Sequence, residues 1–280
     1  MPEVSVLMGT FNESNRDYVT MAIDSILNQT FTDFEFIICD DGSEAAFFQW
    51  LDHFCRKDSR IRLLHNQKNQ GLAAVLNQGL RCALGRYIAR MDADDISRPE
   101  RLAKQIVFLQ EHEEFVLAGC NVSLIDDQSI WGERKMTECP NKKDFLVTSP
   151  FVHPSVMVRK EVMEQIGGYC ESAKKRRVED YDFFMRLYAD GFQGYNLQET
   201  LLYYREDQSS YKKRKYRYRL NECYVRCQGF RRMGIQNGNL KYVIKPLVAG
   251  MIPPKLIQYQ RQKRFGNDTC RSLDAKVWKE

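Results

Sequence analysis

The chain has 280 residues, 43 % hydrophobic and 28 % charged, with a formal net charge of +5, which suits one large α/β domain with an appendage. This composition excludes disorder and a collagen-like repeat, and the lack of any run of eighteen uncharged apolar residues excludes a membrane-spanning channel. Acidic Glu3 stands where a secretory leader carries positive charge, so the chain is expected to be cytoplasmic; its 9 cysteines, never spaced C-x-x-C, are expected to be mostly buried small hydrophobes.

Short β-branched runs alternate with helical patterns through the first half, predicting βαβ units that feed a mostly parallel sheet. Strands are predicted at Val4 to Met8, Phe34 to Cys39, Ile61 to His65 and Tyr87 to Met91. Val19, Ile23, Ile26 and Leu27 recur at helical spacing between the first two strands, as do Leu72, Val75, Leu76 and Leu80 between the third and fourth. A helix near Pro99, with Leu102, Ile106 and Leu109 on one face, is expected directly after the fourth strand. Further strands are predicted at Phe115 to Cys120, Val122 to Ile125 and Ser155 to Val158, then a solvated loop at Lys174 to Arg177 and a helix at about Asp180 to Ala189. Strands return around Tyr195 and at Leu201 to Tyr204, and from Tyr211 the sequence is basic, aromatic-studded and helical. The expected division is an α/β domain over 1–210 and a basic helical extension over 211–280. From Lys212 onward 18 Lys and Arg face 4 Asp and Glu, whereas the preceding residues hold 24 against 33. An acidic body therefore carries a basic tail.

In open α/β sheets ligands bind beyond the carboxyl ends of the strands. Three predicted ends carry carboxylates or small polar residues: Gly9-Thr10-Phe11-Asn12, Asp40-Asp41-Gly42-Ser43 and Asp92-Ala93-Asp94-Asp95. Any one alone reads equally as a turn or a helix cap. Three carboxylates within four residues, however, repel one another unless a cation or a donor array joins them. Asp-x-Asp without histidine or cysteine suits Mg²⁺ or Mn²⁺, which take one or two carboxylates and leave other positions to substrate phosphates. With no G-x-x-x-x-G-K-[S/T] loop and no G-x-G-x-x-G after the first strand, the expected ligand is a metal-bound diphosphate and not a dinucleotide.

The blocks VSVLMGTFNE, ICDDGS, NQGLAAVLNQGL and GRYIARMDADD followed by RPERL, with HPSVMVR, GGY and EDYDFFMRL after them, resemble the family 2 inverting glycosyltransferases of GT-A fold over about residues 3–210. The resemblance implies a Rossmann-like, mostly parallel sheet flanked by helices. It also implies a metal-dependent enzyme, using Mn²⁺ or Mg²⁺, that moves a sugar from a nucleoside-diphosphate sugar, expected to be a UDP-sugar, to a hydroxyl of a glycan acceptor in bacterial surface-polysaccharide synthesis. Carried over by motif, Asp41 holds the nucleobase, with Thr10, Phe11 and Asn12 lining the same pocket; a carboxylate suits the N–H of uracil. Asp40 is structural. The Asp92, Asp94 and Asp95 cluster matches the D-x-D motif, in which one carboxylate faces the ribose and another ligates the metal; spacing leaves open which does which, with Asp92 preferred for the ribose and Asp94 and Asp95 for the metal. Asp180 is the base, at a helix N-terminus that favours its ionised form, Glu179 positions the acceptor, and Asp182 faces elsewhere.

Other positions stay open at this stage. Arg98 and Arg101 read as a helix-start charge and a carboxylate partner, or as phosphate contacts. Asn69 and Asn77 read as cap and packing residues, or as sugar-side contacts. His153, held extended by Pro154, is a structural histidine or presents its ring to the sugar. Where many relatives carry Tyr-Arg-x-His, the chain reads Tyr204-Arg205-Glu206-Asp207, leaving Asp207 as the substitute oxygen ligand.

The basic tail suits three partners: nucleic acid, an anionic membrane surface, or protein, whether the domain itself or a second copy in a homo-oligomer. The resemblance favours the membrane, with the chain peripheral to its inner face and the acceptor linked to a lipid carrier; nucleic acid is the least favoured. From another class, the alternative is a catalytically inactive nucleotide-sugar-binding scaffold.

Overall fold

In a computed structural model, residues 1–206 and 216–272 are described; Asp207 and the start of the basic tail lie outside them. Four parallel strands, β1 (Val4–Thr10), β2 (Phe34–Asp40), β3 (Ile61–His65) and β4 (Tyr87–Asp92), stand in the order β3-β2-β1-β4. They are joined by α1 (Arg16–Leu27), α2 (Ala45–Cys55) and α3 (Leu72–Cys82). The chain steps outward from β1 to β3 and returns to β4 on the other side of β1, so strand order reverses between β1 and β4. Register brings Thr10 beside Asp40 and Gly9 beside Asp92, which gathers three of the polar strand ends at this switch point.

Beyond β4 the sheet becomes mixed. The two-residue β5 (Ile96–Ser97) leads into α4 (Arg101–Glu111), followed by β6 (Leu117–Ile125), β7 (Ser129–Arg134) and β8 (Met157–Arg159). After them come α5 (Lys160–Gln165), α6 (Glu179–Ala189), β9 (Gly194–Arg205), α7 (Arg217–Met233), α8 (Leu240–Ala249), α9 (Pro254–Phe265) and β10 (Gly266–Ser272). Strand β8 lies antiparallel between β4 and β6, β9 runs parallel to β6, and β5 pairs with β9. The hairpin β6-β7 carries β10 on its outer edge.

Strand alternation splits the core between the two faces. Val4, Val6, Met8, Phe36 and Ile38 point to one face, under α1, α2 and α4; Leu7, Ile37 and Cys39 point to the other, under α3, α5, α6 and α7. Helix α7, drawn from the predicted extension, packs on α6 through buried Val225, Phe230 and Met233. Gly229 meets the Met185 side chain at this crossing, and a Cβ there would collide with the sulfur. Gly42 is required as well, since its φ is +76° and an added Cβ would lie 2.6 Å from the Lys68 backbone.

Several expectations are corrected. The two strands predicted around Cys120 are one, β6, and its pairing with β9 shifts register at Asn121, where the sequence pattern broke. The segments around Tyr195 and Leu201 likewise form one strand, β9. Helix α4 does not follow β4 directly, because β5 intervenes. Helix α2 and strand β7 were not predicted, although Phe47, Leu51 and Cys55 sit at i, i+4 and i+8 on the buried face of α2. The Lys174 to Arg177 run is not simply solvated: Lys175 is buried, with its ammonium 2.5 Å from Asp182. Of the cysteines whose side chains are described, only Cys39, Cys55 and Cys120 are buried, and none is in a disulfide. Among the described residues no helix is long and apolar enough to cross a membrane.

Candidate active site

Two cavities open along the carboxyl ends of the parallel strands. The first, of about 460 Å³, is lined by Gly9, Thr10, Phe11, Asp41, Asn69 and Glu179 among others. Asp41 is buried, and its two carboxylate oxygens accept the backbone N–H groups of Gln70 and Gly71, each at 2.8 Å. That pair of bonds fixes the loop into α3 and holds the carboxylate at the cavity wall. Asp40, fully buried, accepts from the Ser43 backbone and hydroxyl and meets His65 Nδ1 at 2.7 Å, which makes it the turn's anchor.

The second cavity, of about 550 Å³, is lined at one side by Asp92, Asp94, Glu179 and Asp180. Glu179, Arg177 and Tyr218 border both cavities. One carboxylate oxygen from each of Asp92, Asp94 and Asp95 lies within 4.8 Å of the others. Asp92 meets the buried Arg90 guanidinium at 2.5 Å. Asp95 accepts the Arg205 backbone N–H at 2.7 Å through Oδ1, while its Oδ2 is buried without a hydrogen-bond partner. Burial, then the charges of Asp94 and Asp92, raise the Asp95 proton affinity well above the usual carboxylate range. An orphaned carboxylate oxygen beside two further carboxylates, with no nitrogen or sulfur ligand, fits a hard divalent cation.

Helix α6 begins at Glu179 without a side-chain N-cap, so its first N–H groups are free to serve the carboxylates of Glu179 and Asp180. Burial, chiefly, and the neighbouring Glu179 push the Asp180 carboxyl up to about 7, against the pull of those N–H groups. The helix end therefore does not keep Asp180 strongly acidic, as its position alone suggested, because desolvation outweighs the dipole. Glu179 is also raised by burial. Asp182 turns away and binds Lys175 and Arg186.

The sequence profile described as Glycosyl transferase family 2 matches residues 5–167. The chain belongs to that family. This family 2 glycosyltransferase is 34 % identical over 267 residues to EpsE of Bacillus subtilis (strain 168), which carries a glycosyltransferase name, and the match covers 95 % of either chain. It is 33 % identical to the O-antigen biosynthesis glycosyltransferase WbnJ of Escherichia coli, over 72 % of this chain and 79 % of that one. Among solved structures, S. aureus TarS 1-349 in complex with UDP superposes with a TM-score of 0.65 at 18 % identity, covering 93 % of this chain and 78 % of that one. The chain spans 43 % of the longer TarS chain. The mannosyltransferase PcManGT of Pyrobaculum calidifontis, in complex with GDP-Man and Mn²⁺, superposes with a TM-score of 0.61 at 15 % identity, covering 94 % and 80 %. The expected GT-A fold is thereby borne out.

The structure of this glycosyltransferase sorts the remaining candidates. Thr10 and Phe11 line the first cavity, but Asn12 does not: at φ 45° it braces the loop, accepting from the Glu44 N–H and donating its own N–H to Ser43. Asn69 lines that cavity and binds Arg176 at 3.1 Å. Asn77 is a packing residue, tied to both the N–H and the carbonyl of Tyr169 at 2.8 Å. Arg98 stacks on Tyr203, 5.0 Å from the ring centre, and borders neither cavity. Arg101 is fully buried and donates to Ser97 and to the carbonyls of Arg90 and Pro154, so it braces the loops and has no carboxylate partner among the described residues. His153 borders the second cavity but bonds Tyr169 at 2.8 Å through Nε2; burial and nearby Arg90 keep it neutral.

Sequence reading missed Arg90, Arg205, Arg177 and Tyr218. Arg90 was detectable, since it precedes Asp92 by two on β4 and so shares its face. Arg205 holds the aspartate loop through Asp95 and the Asp94 carbonyl, a contact made only when β9 and β5 pair. Tyr218 comes from α7, beyond the predicted domain boundary, and no local signal announced it.

Proposed function

We propose that the chain is a metal-dependent inverting glycosyltransferase that moves a sugar from a UDP-sugar to a hydroxyl of a lipid-carrier-linked glycan in surface-polysaccharide synthesis. The observation that carries this reading is Asp180: a half-buried carboxyl whose proton affinity is centred at about 7, in one cavity with Asp92 and Asp94. A base is most effective when its pKa lies near the working pH.

In this reading the uracil N–H is taken by a remaining lone pair of Asp41, whose backbone bonds hold it ready, and Phe11, 47 % exposed at the cavity wall, offers its ring to the base. Asp92, fixed by Arg90, faces the ribose. Asp94 and Asp95 would hold Mn²⁺ or Mg²⁺, which supplies positive charge to the leaving diphosphate. Asp180 takes the proton of the acceptor hydroxyl as that oxygen bonds to the anomeric carbon. The bond from that carbon to the diphosphate oxygen breaks on the opposite face, and UDP leaves with the electron pair. Glu179, buried beside Asp180, orients the hydroxyl. The UDP-bound TarS neighbour, the Mn²⁺-bound mannosyltransferase neighbour and the O-antigen name of WbnJ support the donor, metal and pathway class respectively.

The tail supports a membrane-facing role. On α8, Leu240, Ile244 and Val248 recur every four residues and are 66 %, 45 % and 60 % exposed, and Met251 beyond it is 77 % exposed. An apolar stripe on a strongly basic segment suits the surface of an anionic bilayer, at the inner face of the cell membrane. Sedimentation with phosphatidylglycerol vesicles but not phosphatidylcholine vesicles, lost in Val248→Glu, is the expected result; equal recovery with both contradicts it.

A thermal-shift panel tests the donor class. UDP is expected to stabilise the chain with Mn²⁺ or Mg²⁺ present and little without it, and GDP less than UDP. No shift from any nucleotide with either metal would remove the enzyme reading.

A further inference from the structure

Arg205, the last residue of β9, borders the larger cavity, and its side chain is only 6 % exposed. It donates its backbone N–H to Asp95 at 2.7 Å and its Nε to the Asp94 carbonyl at 2.9 Å, so one residue ties two members of the aspartate cluster. Away from that loop the guanidinium is held by two residues from distant parts of the chain. Its Nη1 donates to Asp127 Oδ1 at 3.1 Å, and its Cζ lies 3.8 Å from the centre of the Tyr18 ring. The same Asp127 oxygen accepts the Tyr18 hydroxyl, which closes a bracket of three side chains.

Tyr18 stands in the first turn of α1, and Asp127 in the turn between β6 and β7. That turn is stiffened by Asp126, whose carboxylate accepts the N–H groups of Gln128 at 2.9 Å and Ser129 at 2.8 Å. The same elements are joined by a small apolar cluster of Met21, Ile96, Ile125, Ile130 and Tyr203. Asp127 is 63 % exposed, and an ion pair so open adds little to folding. Its effect is directional: with a ring against one face and a carboxylate at one edge, the guanidinium plane is kept turned toward the Asp94 carbonyl. The carboxylate also offsets a positive charge that would otherwise oppose a divalent cation at the neighbouring aspartates.

We propose that Tyr18 and Asp127 are positioning residues for the metal: acting through Arg205, they hold the aspartate loop in the conformation that ligates Mn²⁺ or Mg²⁺. The proposal rests on the metal-dependent reading above and adds to it two residues that border neither cavity. Their substitution changes how well the cation is held while leaving every group that faces the nucleotide in place.

The test measures UDP affinity of the full chain by calorimetry at one fixed Mn²⁺ concentration and again in EDTA, and reads the ratio of the two. The ratio is expected to fall about fivefold in Tyr18→Leu and in Asp127→Ala, and less in Tyr18→Phe, which keeps the ring against the guanidinium, while affinity in EDTA stays within about twofold of wild type. In an Arg205→Gln background, Asp127→Ala should lower the ratio no further, because it acts through that guanidinium. An unaltered ratio in both Tyr18→Leu and Asp127→Ala overturns the bracket. So do additive losses in the Arg205→Gln background, or a fall of UDP affinity in EDTA as large as the fall with Mn²⁺, since each would give these residues a role that does not run through the metal. A wild type that binds no UDP, or binds it equally with Mn²⁺ and in EDTA, breaks the metal-dependent reading and the bracket with it; a metal-dependent wild type whose variants keep the full dependence overturns the bracket alone.

Discussion

Asp41 and Asp180 are the same side chain in opposite settings. Asp41, at the end of β2, accepts a backbone N–H at each carboxylate oxygen and is held rigid by the loop into α3. Asp180, at the start of α6, is desolvated beside Glu179 until its carboxyl holds a proton up to about pH 7. Backbone donors make a carboxylate a fixed hydrogen-bond acceptor for a ligand; burial beside a like charge makes it a group that exchanges a proton. In the proposed reaction the strand-end region binds, and the helix-end region reacts.

That contrast is broken most strongly at the reacting end. Asp180→Asn is expected to lower the transfer rate about 1000-fold while calorimetric UDP affinity stays within about twofold of wild type; equal losses of both would make Asp180 a structural group. Next in size is Asp94→Ala, expected to weaken metal-dependent UDP binding by about 100-fold and to abolish the difference between titrations with and without Mn²⁺. Asp41→Ala should weaken UDP binding by about 10-fold to 100-fold, corresponding to about 1.5–3 kcal/mol for hydrogen bonds to a charged group, with kcat nearly unchanged at saturating donor. The same substitution costs some stability, because Gln70 and Gly71 lose their acceptor.

Stability sharpens the comparison in the other direction. The folded-state pKa of Asp180 is raised to about 7 from 3.8, so its contribution to stability is fully present below about pH 4 and is lost as pH rises through about 7. Asp180→Asn escapes that loss and should gain about 2 kcal/mol relative to wild type between pH 5 and pH 8, a figure already discounted for the remaining solvent contact. Melting midpoints at the two pH values read it, and a difference that shrinks as pH rises would contradict the assigned environment. Smallest is Asn77→Ala, which removes the ties to Tyr169 and should cost about 1–2 kcal/mol in denaturant unfolding without altering UDP affinity. A loss of donor affinity there would restore the sugar-contact reading of Asn77.

The sequence was most legible where local pattern and tertiary role coincide. The four parallel strands were found nearly to the residue because β1, β2 and β4 are apolar runs buried on both faces and the edge strand β3 keeps a short apolar run of its own, and the polar residues at the strand ends fell at the switch point that strand order creates. Elements of the mixed half were harder. A register shift at Asn121 split β6 in the reading, and the β7 hairpin depends on pairing with β6 more than on its own pattern. At the site, the family resemblance indicated Asp41 and Asp180, and spacing indicated the aspartate cluster, but spacing carries no direction. It could not show that Asn12 and Asn77 serve loops, that Arg101 is buried among carbonyls, or that Arg205 and Tyr218 reach the cavity from distant parts of the chain.

The most direct test of Asp180 as the proton acceptor is the pH dependence of kcat/KM for transfer, measured in wild type and in Asp180→Asn. The wild-type value should rise with pH, reach half its plateau near pH 7 and level off above it, while the residual activity of the variant shows no such limb. His153, held neutral by burial and Arg90, should not contribute to it. A wild-type profile already flat from pH 5, or the same limb surviving in the variant, would show that another group accepts the proton.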